Sequence, residues 1–188
     1  MPENVYYHAT LIVNAPFIVS EDKKRGGVKV ALGIGEKPFP LIVKRKWAAI
    51  IEANPPEGEQ SIVLWPRTDK EGLLGSGTQL ALYKPLGEIE RTPGLHALGE
   101  LVKVDRENAL LQIQIFPNEG QGSSKKPFKM PLVASLEILD TLPDIGSGLE
   151  VWANLKPETG RVVVNLVRPV PLPPKRVIEP DTPTSETT

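Results

Sequence analysis

The stretch Lys23-Lys24-Arg25-Gly26-Gly27-Val28-Lys29-Val30-Ala31-Leu32-Gly33-Ile34-Gly35-Glu36-Lys37-Pro38-Phe39-Pro40-Leu41-Ile42-Val43-Lys44-Arg45-Lys46-Trp47 organises the chain. It begins as a basic loop over residues 23–27. Val28, Val30, Leu32 and Ile34 then alternate with Lys29, Ala31 and Gly33, a period of two that predicts a half-buried strand. Gly35, Pro38 and Pro40 mark a turn, and residues 41–46 follow as a second strand closing on Trp47. Eight cations face Glu36 alone here, a local charge of +7 in a chain whose net charge is −1, so the remaining residues carry −8. A positive hairpin on an otherwise acidic protein is a candidate footprint for a polyanion. A lysine-rich sheet edge that resists aggregation has the same appearance.

Around this stretch, 188 residues are enough for one large domain or two of about 90 residues, each with its own core. A hydrophobic content of 40% with 24% charged residues is an ordinary soluble composition. No apolar run approaches the ~20 residues of a spanning helix, and Met1-Pro2-Glu3-Asn4 lacks the basic-then-apolar form of a signal peptide. The expectation is a cytoplasmic protein without membrane contact. The chain has no cysteine and two histidines, which excludes disulfides, thiolate metal sites and cysteine nucleophiles. Its 20 prolines punctuate the apolar runs, favouring many short strands over long helices.

In order, residues 6–20 read as a long first strand bent near Pro16, with Tyr7, Ala9, Leu11, Val13, Ala15 and Phe17 on its inner face. After the hairpin comes a short helix, Trp47–Ala53, stopped by Asn54-Pro55-Pro56. Strands over 61–68 and 78–83 follow, separated by residues 69–77, whose three glycines suggest a mobile loop. The pattern then recurs: strands over 96–104, 109–116 and 128–134, a helix over Leu136–Leu142, and a hairpin of 148–156 with 161–168. His8 to His96 is 88 residues, Phe39 to Phe128 is 89, and Trp65 to Trp152 is 87, which points to an internal duplication. The boundary falls in residues 85–94. Residues 171–188 form a Pro/Thr-rich tail expected to be disordered.

Three strands, a short helix and two more strands within about 90 residues resemble the oligonucleotide/oligosaccharide-binding (OB) fold, a five-stranded Greek-key barrel. The resemblance is one of topology and covers residues 5–86 and 95–170. It implies a mainly β protein of two tandem OB-like barrels, each with one short helix, whose ligand face lies over the second and third strands. It also implies a likeness in function to single-strand-binding proteins. The bacterial members end their acidic tail in an apolar peptide, whereas this tail carries Glu179, Asp181 and Glu186 and ends Glu186-Thr187-Thr188.

Sequence-tolerant single-strand binding needs a positive groove and aromatic faces. Lys29, Lys44 and Lys46 fall on the outward parity of strands two and three, and Lys23, Lys24 and Arg25 join them from the rim. Phe39 is either a stacking platform or a turn anchor. Trp65 and Trp152 stand among polar residues at matching positions, which points to packing between the barrels or against a protein partner, with base stacking the second option. His8 and His96 lack a neighbouring carboxylate in sequence and read as structural. No glycine run has phosphate-cradling spacing and no serine sits in a nucleophile elbow. The expected function is therefore non-enzymatic binding of single-stranded DNA or RNA, with no cofactor and no metal. The alternative is a protein-interaction or assembly module that uses the tryptophans and the proline-rich tail, with self-association among its forms.

Overall fold

The computed structural model describes residues 6–22, 27–88, 91–118 and 126–173. The chain is mainly β. Its elements are β1 (His8–Glu21), β2 (Val28–Leu32), β3 (Phe39–Pro40), α1 (Arg45–Ala53), β4 (Glu59–Trp65), β5 (Gln79–Pro85), β6 (Gly94–Asp105), β7 (Leu110–Ile115), β8 (Phe128–Val133), α2 (Leu136–Asp140), β9 (Gly148–Lys156) and β10 (Arg161–Val170). No helix among the described residues is long and apolar enough to cross a membrane.

The alternation in β1 puts Tyr7, Ala9, Leu11, Val13 and Ala15 in the core. Residues 11–16 pair with β4, and from Phe17 onward the partner is β2. The switch happens at Pro16, whose carbonyl accepts from the Gly33 N–H at 2.9 Å. One strand thereby serves two sheet layers. In the N-terminal half the pairings run β3–β2–β1–β4–β5. A parallel bridge between Ile42, just past β3, and Gln79 on β5 completes the circuit. The C-terminal half repeats the circuit as β8–β7–β6–β9–β10, completed by the parallel bridge Val133 to Val163. Each helix lies between the third and fourth strands of its half.

The halves join through β1 and β6, antiparallel, with His8 opposite Leu98, Ala9 opposite Ala97 and Thr10 opposite His96. Antiparallel pairing about Ala9 and Ala97 gives the seam a local twofold relation. Both alanines are buried, and a single hydrophobic cluster runs through the two halves.

The hairpin departs from its sequence expectation. Its second strand stops at Pro40, which has no N–H for a ladder. Lys44 is the N-cap of α1 rather than a strand residue, and Arg45 and Lys46 are helical. The run Arg45-Lys46-Trp47-Ala48-Ala49 has helix-forming content from its first residue, and this outweighs the short alternation before it. Residues 69–77 also differ, because they are docked rather than mobile. The Leu74 N–H donates to the Gly160 carbonyl at 2.8 Å, the Val162 N–H donates to the Gly72 carbonyl at 3.0 Å, and Leu73 bridges Arg161. The start of the expected tail is likewise held: the Tyr7 hydroxyl donates to the Pro173 carbonyl at 3.0 Å, while residues 174–188 lie outside the described part.

Candidate functional site

A groove of about 590 Å³ opens along the seam. Its floor is the start of β1, residues 7–10. One wall is built by the N-terminal half, from Trp65 at the end of β4, Gln79 at the start of β5, Arg67 and Lys44. The other is built by the C-terminal half, from Phe116 and Asn118 after β7 and Phe128 at the start of β8, with Lys126 beside it. Strand ends converge here because the first and sixth strands cross between the halves. Among the described residues, three cations line the groove and no carboxylate does.

The cations are set against the rings. Lys44 Nζ sits 4.8 Å above the Trp65 centroid, and the Arg67 guanidinium lies 3.5 Å from that of Phe128. The second contact crosses from one half to the other. Such pairs are worth about 0.5–2 kcal/mol, more when desolvated. Burial lowers the Arg67 pKa, yet arginine starts so high that the group stays charged. Trp65 remains 39% exposed, a large aromatic face open to the groove. Tyr7 is buried against Phe116 with ring centroids 5.2 Å apart. Burial first, and the Glu100 charge second, push its hydroxyl up to about 12, so it stays a hydrogen-bond donor. Asn118 clamps the same residue, accepting from the Tyr7 N–H at 2.9 Å and donating to its carbonyl at 2.7 Å.

Behind the floor, the two histidines meet across the seam. His8 Nε2 and His96 Nδ1 are 3.1 Å apart, and His96 Nε2 lies 2.8 Å from Glu150 Oε1. Arg168 donates to Glu150 Oε2 through Nε at 2.9 Å and also through Nη2. Trp152 stacks on His96 at 5.1 Å, with the rings 22° from parallel. Glu150 is only 9% exposed. Burial is the largest influence on its carboxyl and works against the charge, but the hydrogen bonds from His96 and Arg168 outweigh it and hold the pKa below the ordinary value. The His8 pKa is lowered, first by burial, with partial relief from the Tyr6 carbonyl.

The residues expected from sequence scatter. Lys44 and Trp65 come together in the groove. Lys29 is exposed on β2 and paired with Asp22 at 3.3 Å. Phe39 is half-buried against the core, and Lys46 is exposed on α1, both away from the groove. Lys23, Lys24 and Arg25 lie outside the described residues. Trp152 packs at the seam on His96. Arg67, Phe116 and Asn118 carry no mark in the sequence, Phe128 marks only a repeat offset there, and the carboxylate beside His96 carries none either. The 88-residue offset between His8 and His96 was the available signal for the contact of the two histidines, and nothing local pointed to the carboxylate. Among the described residues no group of three or more His, Cys, Asp or Glu is placed to hold a metal. No protein-family model and no curated protein matches the chain.

Proposed function

We propose that the chain is a tandem pair of OB-type barrels that binds single-stranded DNA or RNA without chemistry, at the seam groove rather than on the basic hairpin. The strand circuit of each half, with its helix between the third and fourth strands, supports the barrel assignment. The observation that carries the function is the groove lining: Trp65 and Phe128 each lie under a cation, in a lining without a carboxylate among the described residues. Flat rings accept bases of any sequence at about 1–3 kcal/mol each, and the cations meet the phosphates between them. A protein partner gripping the same rings is the competing outcome, and salt separates the two, because displacement of counterions from a strand makes affinity fall steeply with ionic strength.

The experiment is fluorescence anisotropy with labelled oligo-dT and oligo-U across a salt series, on the wild type, Lys44→Glu and Lys46→Glu. Binding to the groove requires Lys44→Glu to weaken affinity and to shrink the salt slope by about one. Lys46→Glu should do much less. Equal effects from the two variants would return the site to the basic hairpin, and no binding at about 50 mM salt would favour the protein-interaction function.

A further inference from the structure

The hydrogen-bond chain behind the groove has an acceptor at each end. The Tyr6 carbonyl lies 2.9 Å from His8 Nδ1, His8 Nε2 lies 3.1 Å from His96 Nδ1, and His96 Nε2 lies 2.8 Å from Glu150 Oε1. Each of these three contacts needs one hydrogen. A carbonyl has none to give, and neither does an ionised carboxylate. Two neutral imidazoles bring only two. One contact would then set lone pair against lone pair in a half-buried place, where an unmet polar contact is costly. We infer that the His8–His96 pair holds one proton beyond neutrality and so acts as a fourth cationic element of the seam groove, opposite an anionic strand. The groove half of this inference rests on the proposed nucleic-acid function, whereas the proton count does not.

The surroundings locate the charge. Glu150, from β9, receives two N–H groups of Arg168, from β10, and these keep the carboxylate ionised, so the third hydrogen belongs to the rings. Placed on His96, from β6, it lets Nε2–H donate to Glu150 and Nδ1–H donate to His8 Nε2. His8, from β1, is then neutral and donates its Nδ1–H to the Tyr6 carbonyl. This arrangement spares His8, whose own charge is opposed by burial and by His96. His8 lines the groove that also holds Lys44, Arg67 and Lys126. Lys44 and Arg67 oppose a further charge on His8, and a bound phosphate favours one. Moving one hydrogen along the 3.1 Å contact carries the charge from His96 to His8, at the ligand. The affinity for a polyanion then falls as pH rises and the shared proton is lost, by at most tenfold per pH unit for one proton.

Two measurements on the full chain test this separately. Nitrogen-15 NMR of the imidazoles is clean because the chain has two histidines, and His8→Gln assigns them. At pH 7, three of the four ring nitrogens should report a bound hydrogen, with His8 Nε2 the bare one. Glu150→Gln, which removes the anion, should return the pair to two. A wild-type pair with two bare nitrogens at pH 7 overturns the proton count. Anisotropy with labelled oligo-dT and oligo-U from pH 6 to pH 9 should then show affinity falling through the interval in which the NMR signal of the third hydrogen disappears. Affinity that stays flat through that interval overturns the groove role. If neither strand binds at any pH while three nitrogens remain protonated, the proton count is supported, and the nucleic-acid function and the groove role both fall.

Discussion

The seam groove and the cleft over β7 and β8 are similar in size, about 590 and 520 Å³, and opposite in design. The cleft over β7 and β8 occupies the second-and-third-strand face of the C-terminal half. Its cations Lys70, Lys103 and Arg161 share it with Glu71 and Asp105. Lys103 Nζ meets Asp105 at 2.8 Å, and that hydrogen bond, followed by those from Asn108, holds the Asp105 pKa down at about 2. Cations and carboxylates there share one surface, and the docked loop of residues 69–77 crosses the rim. In the groove, Lys44 and Arg67 rest on ring faces, and no carboxylate is in the lining among the described residues. One half's loop thus crosses the other half's face, and the seam between the halves forms a groove that neither has alone.

The loop is where this comparison breaks most easily. Gly72 has φ of +75°, and a Cβ there would come 3.0 Å from Val133 Cγ2 and 3.2 Å from the Val133 nitrogen. A β-branched residue meets both obstacles, backbone strain of about 1–3 kcal/mol and overpacking of similar size. Gly72→Val should cost about 3 kcal/mol and lower Tm by roughly 6–12 °C in a chain of this length. Hydrogen exchange should show the Leu74 and Val162 amides opening, since both bonds depend on the docked loop. A Tm within two degrees of wild type would mean that the loop contributes little and that the cleft is open to ligands after all.

Next in size is the contrast between the two tryptophans, which share a strand slot but lie two positions apart in register. Trp65 faces the groove under Lys44, whereas Trp152 is packed on His96 with Arg168 5.6 Å from its centroid. Trp65→Ala should lower single-strand affinity by about 1–3 kcal/mol, the stacking energy of one base, with little change in Tm. Trp152→Ala should do the reverse, lowering Tm by a few degrees and leaving the salt slope of binding unchanged. Identical behaviour of the two variants would remove the distinction between groove and seam.

Part of this was legible in the sequence. The period of two in residues 7–17 gave the inner face of β1, the helix stops at Asn54-Pro55-Pro56 and Pro143 gave the slots of α1 and α2, and the 87–89 residue offsets gave the repeated strand order. The hairpin misled because local charge says nothing about which strand ends converge. Lys29 and Lys44 sit only 15 positions apart, but a chain turn sends one to a sheet surface and the other to a helix cap over Trp65. Alternation along β9 puts Glu150 on the polar side with Trp152, the side on which a carboxylate is ordinarily solvated. That side is covered by the cross-strand neighbours His96 and Arg168, and pairing between sequence-distant strands leaves no local signal. Arg67 and Phe128 are 61 positions apart, and their contact exists only once the two halves are joined.

The smallest expected effect concerns the cleft over β7 and β8. Ala109, in its lining, has φ of +53°, the described non-glycine residue in the left-handed region. It ends the turn from Asp105, where the Asp105 carboxylate accepts from the Asn108 N–H at 3.1 Å, and its carbonyl accepts from the Ala134 N–H at 2.9 Å. Those bonds fix the backbone in a conformation that costs an L-residue about 1–2 kcal/mol and glycine almost nothing. Glycine also gains freedom in the unfolded chain, which returns about 0.4–1 kcal/mol of that advantage. Ala109→Gly should therefore stabilise the protein by roughly 0.5–1 kcal/mol, raising Tm by about 1–4 °C. Strain of this kind often marks a functional position, and the comparison of the two clefts says that here it marks only a tight turn. Single-strand affinity of Ala109→Gly should equal that of the wild type at every salt concentration. A variant that melts higher but binds more weakly would place the strained turn in the binding surface and give the cleft a share of the function assigned to the groove.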